Sequence, residues 1–157
     1  MARLTQPPLI QQRSECELSN FSPPDGLYSL FILRDSGCPF YYRFYDNTGA
    51  HQDPAILGGF FIALSLFAKE VTSGELETIT TQPCRYSFHR LRQGLLVLCS
   101  AKNFKPLTLE RIAKRISQLF VTKFCNQLLK PYPAAKSAPD LEKYIGEIFR
   151  ELSSQTQ

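Results

Sequence analysis

Apolar positions in this chain cluster into short dense runs separated by turn-forming residues, and one run dominates. From Pro54 to Ala68, within DPAILGGFFIALSLFAKEVTS (53–73), Ser65 is the only polar side chain. Asp53 is a good helix N-cap, and Pro54 fits the first helical position, where a missing N–H costs nothing. At about 100° per residue, Ile56, Phe60, Ala63, Leu64, Phe67 and Val71 share a face that is predicted to bury against a sheet. The opposite face reads Gly58, Ile62, Ser65 and Lys69, flanked by Phe61 and Leu66. A helix apolar nearly all round is expected to be covered on both sides. The run falls short of a membrane span, which needs roughly 18–20 apolar residues.

The remaining pattern reads as strands around this helix. Leu27–Arg34 (LYSLFILR) is a compact apolar run suited to a central strand, and Asp35-Ser36-Gly37 supplies a turn. Pro39–Asp46 (PFYYRFYD) completes a hairpin, with Pro39 at its first position and Asn47-Thr48-Gly49 closing it. Gly74 is placed to stop the helix. Then follow Leu76–Thr81, alternating and suited to a sheet edge, Arg85–Leu91, the Arg92-Gln93-Gly94 turn, and the unbroken apolar Leu95–Ser100. Thr108 is expected to cap an amphipathic helix running to about Leu129, ended by Pro131 and Pro133, and Asp140 a last short helix. The fold class is therefore α+β: a five-stranded, mostly antiparallel sheet in the order β-β-α-β-β-β-α-α.

Length and composition fit one domain. With 157 residues, 43% of them hydrophobic, the chain divides into a flexible arm at 1–24, a domain at 25–130, and a linker with a C-terminal helix at 131–157. No secretory signal or spanning segment is expected, which implies a soluble, cytoplasmic protein. Five cysteines without a C-x-x-C pair suggest buried free thiols, and no metal or cofactor site is expected. The net charge of +4 is uneven: residues 85–115 hold eight Lys/Arg against Glu110 alone. Such a block suits an acidic partner, an anionic lipid surface or nucleic acid, or is simply a solvated rim.

Three segments together resemble the roadblock/longin superfamily, and its longin-like branch in particular. They are the LYSLFILRDSGCPFYYRFYD hairpin, the DPAILGGFFIALSLFAKE helix after it, and the GLLVLCSAKN strand leading into a long amphipathic helix. Coverage runs from about Leu27 to Leu129. A helix ahead of the first strand marks the roadblock branch; here that segment, including Leu9 to Leu18, is aperiodic and bounded by prolines, which favours longin. The resemblance implies a longin/profilin-like sandwich without catalytic residues. It implies a scaffold in small-GTPase regulation and vesicle trafficking, pairing with itself or a paralogous longin or roadblock domain through the central helix and third strand. On that basis the interface is expected at Gly58, Phe61, Ile62, Ser65, Leu66 and Lys69, with Thr78 and Thr80 on the edge strand. Arg111, Lys114 and Arg115 are the expected basic contacts for a GTPase.

Other chemistries are weaker. Gly58-Gly59 matches no phosphate-binding loop; Gly59 is expected to let the helix approach the sheet, and Gly58 to admit a partner helix or the C-terminal helix. His51 reads as a polar loop residue. His89 beside Cys84 and Cys99 is a nucleophile pair on paper, without an orienting third group. Tyr41, Tyr42, Phe44, Tyr45, Tyr86 and Phe88 read as sheet core rather than a base-stacking platform, so no nucleic acid is expected. The alternatives to the scaffold are a roadblock-like regulator subunit, a PAS-like sensor needing a sizeable pocket between sheet and helix, and an adaptor on a peripheral anionic membrane.

Overall fold

The computed structural model describes residues 22–46, 52–130 and 138–155. The arm before residue 22, the Asn47-Thr48-Gly49 turn, His51, Pro131 and Pro133 lie outside the described residues, and so does the test of Leu9 to Leu18 that separates roadblock from longin.

Strands β1 (Leu27–Arg34) and β2 (Pro39–Phe44) form the expected hairpin, antiparallel with Phe31 opposite Tyr42. Its turn passes through Gly37 at φ 88°, a backbone conformation that only glycine adopts without strain. Strand β3 is three residues, Thr78–Thr80, shorter than expected because Leu76 packs into the layer between helix and sheet. Strands β4 (Arg85–Leu91) and β5 (Gly94–Ser100) follow. The sheet order is β2-β1-β5-β4-β3, every pairing antiparallel. All of β5 is buried and nearly all of β1, which is why these two read as continuous apolar runs while the edge strand β3 alternates.

Helices cover both faces unequally. Among the described residues, helix α1 (Pro54–Thr72) is the one helix on its face of the sheet, over Phe31, Leu33, Phe88, Leu95 and Val97. Helices α2 (Pro106–Thr122) and α3 (Ala138–Ser154) share the other, where Ile112, Ile116, Leu141 and Ile145 close over Leu30, Ile32, Leu96 and Leu98. The C-terminal helix thus packs beside α2 and does not return over α1.

Four helix ends differ from expectation. Helix α3 starts at Ala138, so Asp140 lies in its first turn instead of capping it. Helix α2 starts at Pro106, with Lys105 as an N-cap lacking a side-chain bond, because proline at the first turn sets φ for the helix as well as Thr108 would cap it. It stops at Thr122, since Asn126 takes a left-handed φ of 62° and a 3-10 turn, Gln127–Leu129, replaces the last helical turn. Helix α1 ends on a left-handed Ser73 (φ 58°), whose N–H donates to the Lys69 carbonyl, with Gly74 one residue beyond. Arg34 fastens the 3-10 turn to the sheet. Although buried, its Nε donates to the Lys130 carbonyl at 3.0 Å and its guanidinium lies 5.2 Å from the Phe40 ring centre.

Candidate partner-binding surface

Helix α1 is turned about its axis relative to the sequence expectation. Gly58, Phe61 and Ile62 are its buried residues, pressed against the sheet, with Leu57, Leu64, Ser65 and Ala68 half-buried beside them. Phe61 anchors the contact. Its ring centre is 5.5 Å from Phe31, 5.5 Å from Tyr86 and 5.8 Å from Phe88. The stripe expected inside points to solvent instead: Ile56 is 71% exposed, Phe60 57%, Phe67 66% and Val71 65%.

The reason for this orientation is steric. Gly58 crosses the β1–β2 turn so closely that a Cβ there would collide with the Gly37 carbonyl, whereas a Cβ on Gly59 meets nothing within 4 Å. The roles expected for the two glycines are therefore exchanged. A close helix–sheet crossing needs Gly58 inside, and that choice rotates the more apolar face outward. Gly59→Ala is expected to raise monomer stability by about 0.5–1 kcal/mol through helix propensity, and Gly58→Ala to lower it by more than 1 kcal/mol. Urea denaturation of the two variants checks the pair.

Of the interface residues expected from sequence, Gly58, Phe61 and Ile62 are thus corrected to core positions. Ser65 is half-buried, its Oγ without a hydrogen-bond partner among the described residues. Leu66 and Lys69 are exposed, Lys69 pairing with Glu75 at 3.7 Å, and so are Thr78 and Thr80 on the outer strand. The face available to a partner is Ile56, Phe60, Ala63, Leu66, Phe67 and Val71, and β3 is an edge strand of the sheet beneath it. The missed signal was Gly37 in the turn, which a second glycine has to meet.

Length also needs correcting. Helix α1, with 19 residues, is long and apolar enough to cross a membrane by length and composition. In this fold it lies on an open sheet whose edge strands carry unpaired backbone groups, which a hydrocarbon layer would leave unsatisfied.

The remaining candidates separate cleanly. Arg111, Lys114 and Arg115 are exposed on α2, across the sheet from α1, and Arg115 pairs with Glu151 at 2.6 Å. The apolar stripe and the basic block therefore cannot meet one flat membrane together. His89 faces α2, while Cys84 and Cys99 line a cavity of about 350 Å³ on the α1 side with Phe31, Phe61 and Tyr86. The sheet stands between imidazole and thiols, so the nucleophile pair is not assembled. Burial, with neighbouring Cys84, pushes the Cys99 thiol up to about 12, leaving it protonated at neutral pH. The aromatic set splits likewise: Tyr41 and Tyr45 pack on the α2 and α3 side, while Phe44, Tyr86 and Phe88 pack on the α1 side, with Tyr42 against Phe31 and Phe44. Helix α1 lies over this second group, with Phe61 among its rings. The cavity by α1, about 350 Å³ between sheet and helix, lies where a PAS-like sensor would hold a ligand and is lined by Phe31, Phe44, Phe61 and Tyr86. Among the described residues no cluster of three or more His, Cys, Asp or Glu side chains is placed to hold a metal.

Sheet order β2-β1-β5-β4-β3, with the helix after the hairpin on one face and the helix after β5 on the other, is the sandwich implied by the sequence resemblance. The fold is longin-like. No family model and no curated protein matches the chain. Among solved structures, Myxococcus xanthus MglB is similar, with a TM-score of 0.48 and 14% identity, covering 82% of this chain and 98% of that one.

Proposed function

We propose that this protein is a non-enzymatic interaction module that pairs through α1 and the β3 edge and regulates a small GTPase. The observation that carries the pairing is the apolar stripe of α1, which no other described element covers although three described helices pack on the sheet. A contiguous apolar face of this kind marks a protein contact. The two-fold arrangement fits it best: identical stripes meet each other, and β3 extends one sheet into the next. Gly59 and Ala63, the small residues on the stripe, let two backbones approach.

The GTPase enters from the family resemblance, with Arg111 and Lys114 as basic contacts on a face the pairing leaves free. Vesicle trafficking, a cytoplasmic location and membrane contact through partners belong to the same reading. Two measurements test it. Light scattering across a concentration series is expected to give twice the chain mass at micromolar protein; a monomer throughout overturns the self-pairing. Pull-downs with small GTPases in both nucleotide states are expected to retain one of them in a state-dependent way. Equal, weak retention of all removes the GTPase.

A further inference from the structure

Across the sheet from α1, a groove with a cavity of about 550 Å³ runs between β4 and α2. Three independent features meet there. The first is an unfinished ladder. Strand β3 pairs only with Arg85, Tyr86 and Ser87, and its last contact is the Phe88 N–H donating to the Glu77 carbonyl. Backbone groups alternate in direction along a strand, so Arg90 points its N–H and C=O to the same side as Phe88, past the end of β3. No strand pairs there among the described residues.

The second feature is His89. Its side chain lines the groove and its Nε2 is buried without a hydrogen-bond partner among the described residues. Buried polar atoms are ordinarily satisfied, and one that is not asks for a partner from outside. The third is charge. Of the eight cations in residues 85–115, Arg85, Arg90 and Lys114 line this groove. Arg90 is engaged by Asp35 at 2.8 Å, which leaves Arg85 and Lys114 as the lining cations for a ligand. Glu77 and Glu110 line it too, and they repel a run of negative charges.

We propose that this groove receives an extended segment of a partner protein, a strand-forming peptide with a single acidic side chain among neutral ones. The peptide backbone continues the ladder by accepting from the Arg90 N–H and donating to its C=O, alongside β4 and in line with β3. Its acidic side chain enters the cavity, where Lys114 and the Nε2–H of His89 donate to the carboxylate. A nucleic-acid strand is a poorer fit, because its successive phosphates meet Glu77 and Glu110. The site lies on the sheet face opposite α1 and does not rest on the pairing proposed above.

The test is an NMR titration of the full chain with three capped peptides of alternating threonine and valine. One has a central glutamate, one a central lysine, and one keeps the glutamate but has prolines flanking it. The glutamate peptide is expected to shift amides of β4 and α2, Arg90 included, and to bind at least about 10-fold tighter than either of the others. Lys114→Glu, at an exposed position, is expected to weaken it by a similar factor while leaving the remaining spectrum unchanged. Equal binding of the three peptides overturns the proposal, and so do shifts confined to α1 or an unchanged affinity in Lys114→Glu. A single-stranded oligonucleotide or an anionic vesicle that shifts these amides when the glutamate peptide does not also overturns it.

Discussion

Phe61→Ala is expected to lower the stability of the domain by about 3–5 kcal/mol, the range for truncating a buried phenylalanine. The ring sits between Phe31, Tyr86 and Phe88 at centre distances of 5.5–5.8 Å, so its loss leaves a void walled by three rigid neighbours. Helix α1 has Phe61, Ile62 and the close Gly58 crossing as its main fastenings to the sheet, with no second helix behind it among the described residues. At the adjacent position, Phe60→Ala is expected to change monomer stability by less than about 1 kcal/mol, because that side chain is mostly in water. Urea denaturation at protein concentrations low enough to keep the chain monomeric compares the two directly. A Phe60 variant as damaged as the Phe61 variant contradicts the orientation of the helix. Ile62→Asp belongs with Phe61: it buries a charge against Phe31 and Leu33, and unfolding is its expected result.

Much of this architecture was legible from local pattern. β1 and β4 fall on the residues expected of them because an apolar or alternating run bounded by Asp-Gly, Asp-Ser-Gly or Arg-Gln-Gly has few other ways to fold. Helix ends were less legible. Pro106 and Thr108 both signal a start, and the left-handed Asn126 that ends α2's run depends on tertiary contacts such as the Gln93 amide bonding to it at 3.0 Å. The facing of α1 was misread for a deeper reason. Periodicity assigns the greasier face to the core, which is sound only when the other face is polar. Here both faces are apolar, and the decision falls to the backbone contact between Gly37 and Gly58, two residues far apart in sequence whose meeting no helical period encodes. The same misreading exchanged the candidate interface for the core, so that a buried Ile62 was assigned to a partner and an exposed Phe67 to the sheet.

Phe67→Asp is expected to abolish pairing while leaving the fold intact. Phe67 is 66% exposed on the stripe, so a carboxylate there remains hydrated in the monomer and stability should change by less than about 1 kcal/mol. In a two-fold dimer every interface residue is used twice. Removing one buried phenylalanine at about 1.5–3 kcal/mol per copy costs roughly 3–6 kcal/mol of association, or about two to four orders of magnitude in the dimer dissociation constant. An aspartate buried in an apolar contact adds a desolvation cost to that loss. Sedimentation equilibrium is expected to give a monomer for the variant at concentrations where the wild type is dimeric, with superimposable circular dichroism and denaturation midpoints. Lys114→Glu, on the opposite face, serves as the control and should leave the dimer unchanged. A dimer that survives Phe67→Asp places the contact elsewhere, most directly along β3, where Thr78 and Thr80 can hold two edges together without the helix.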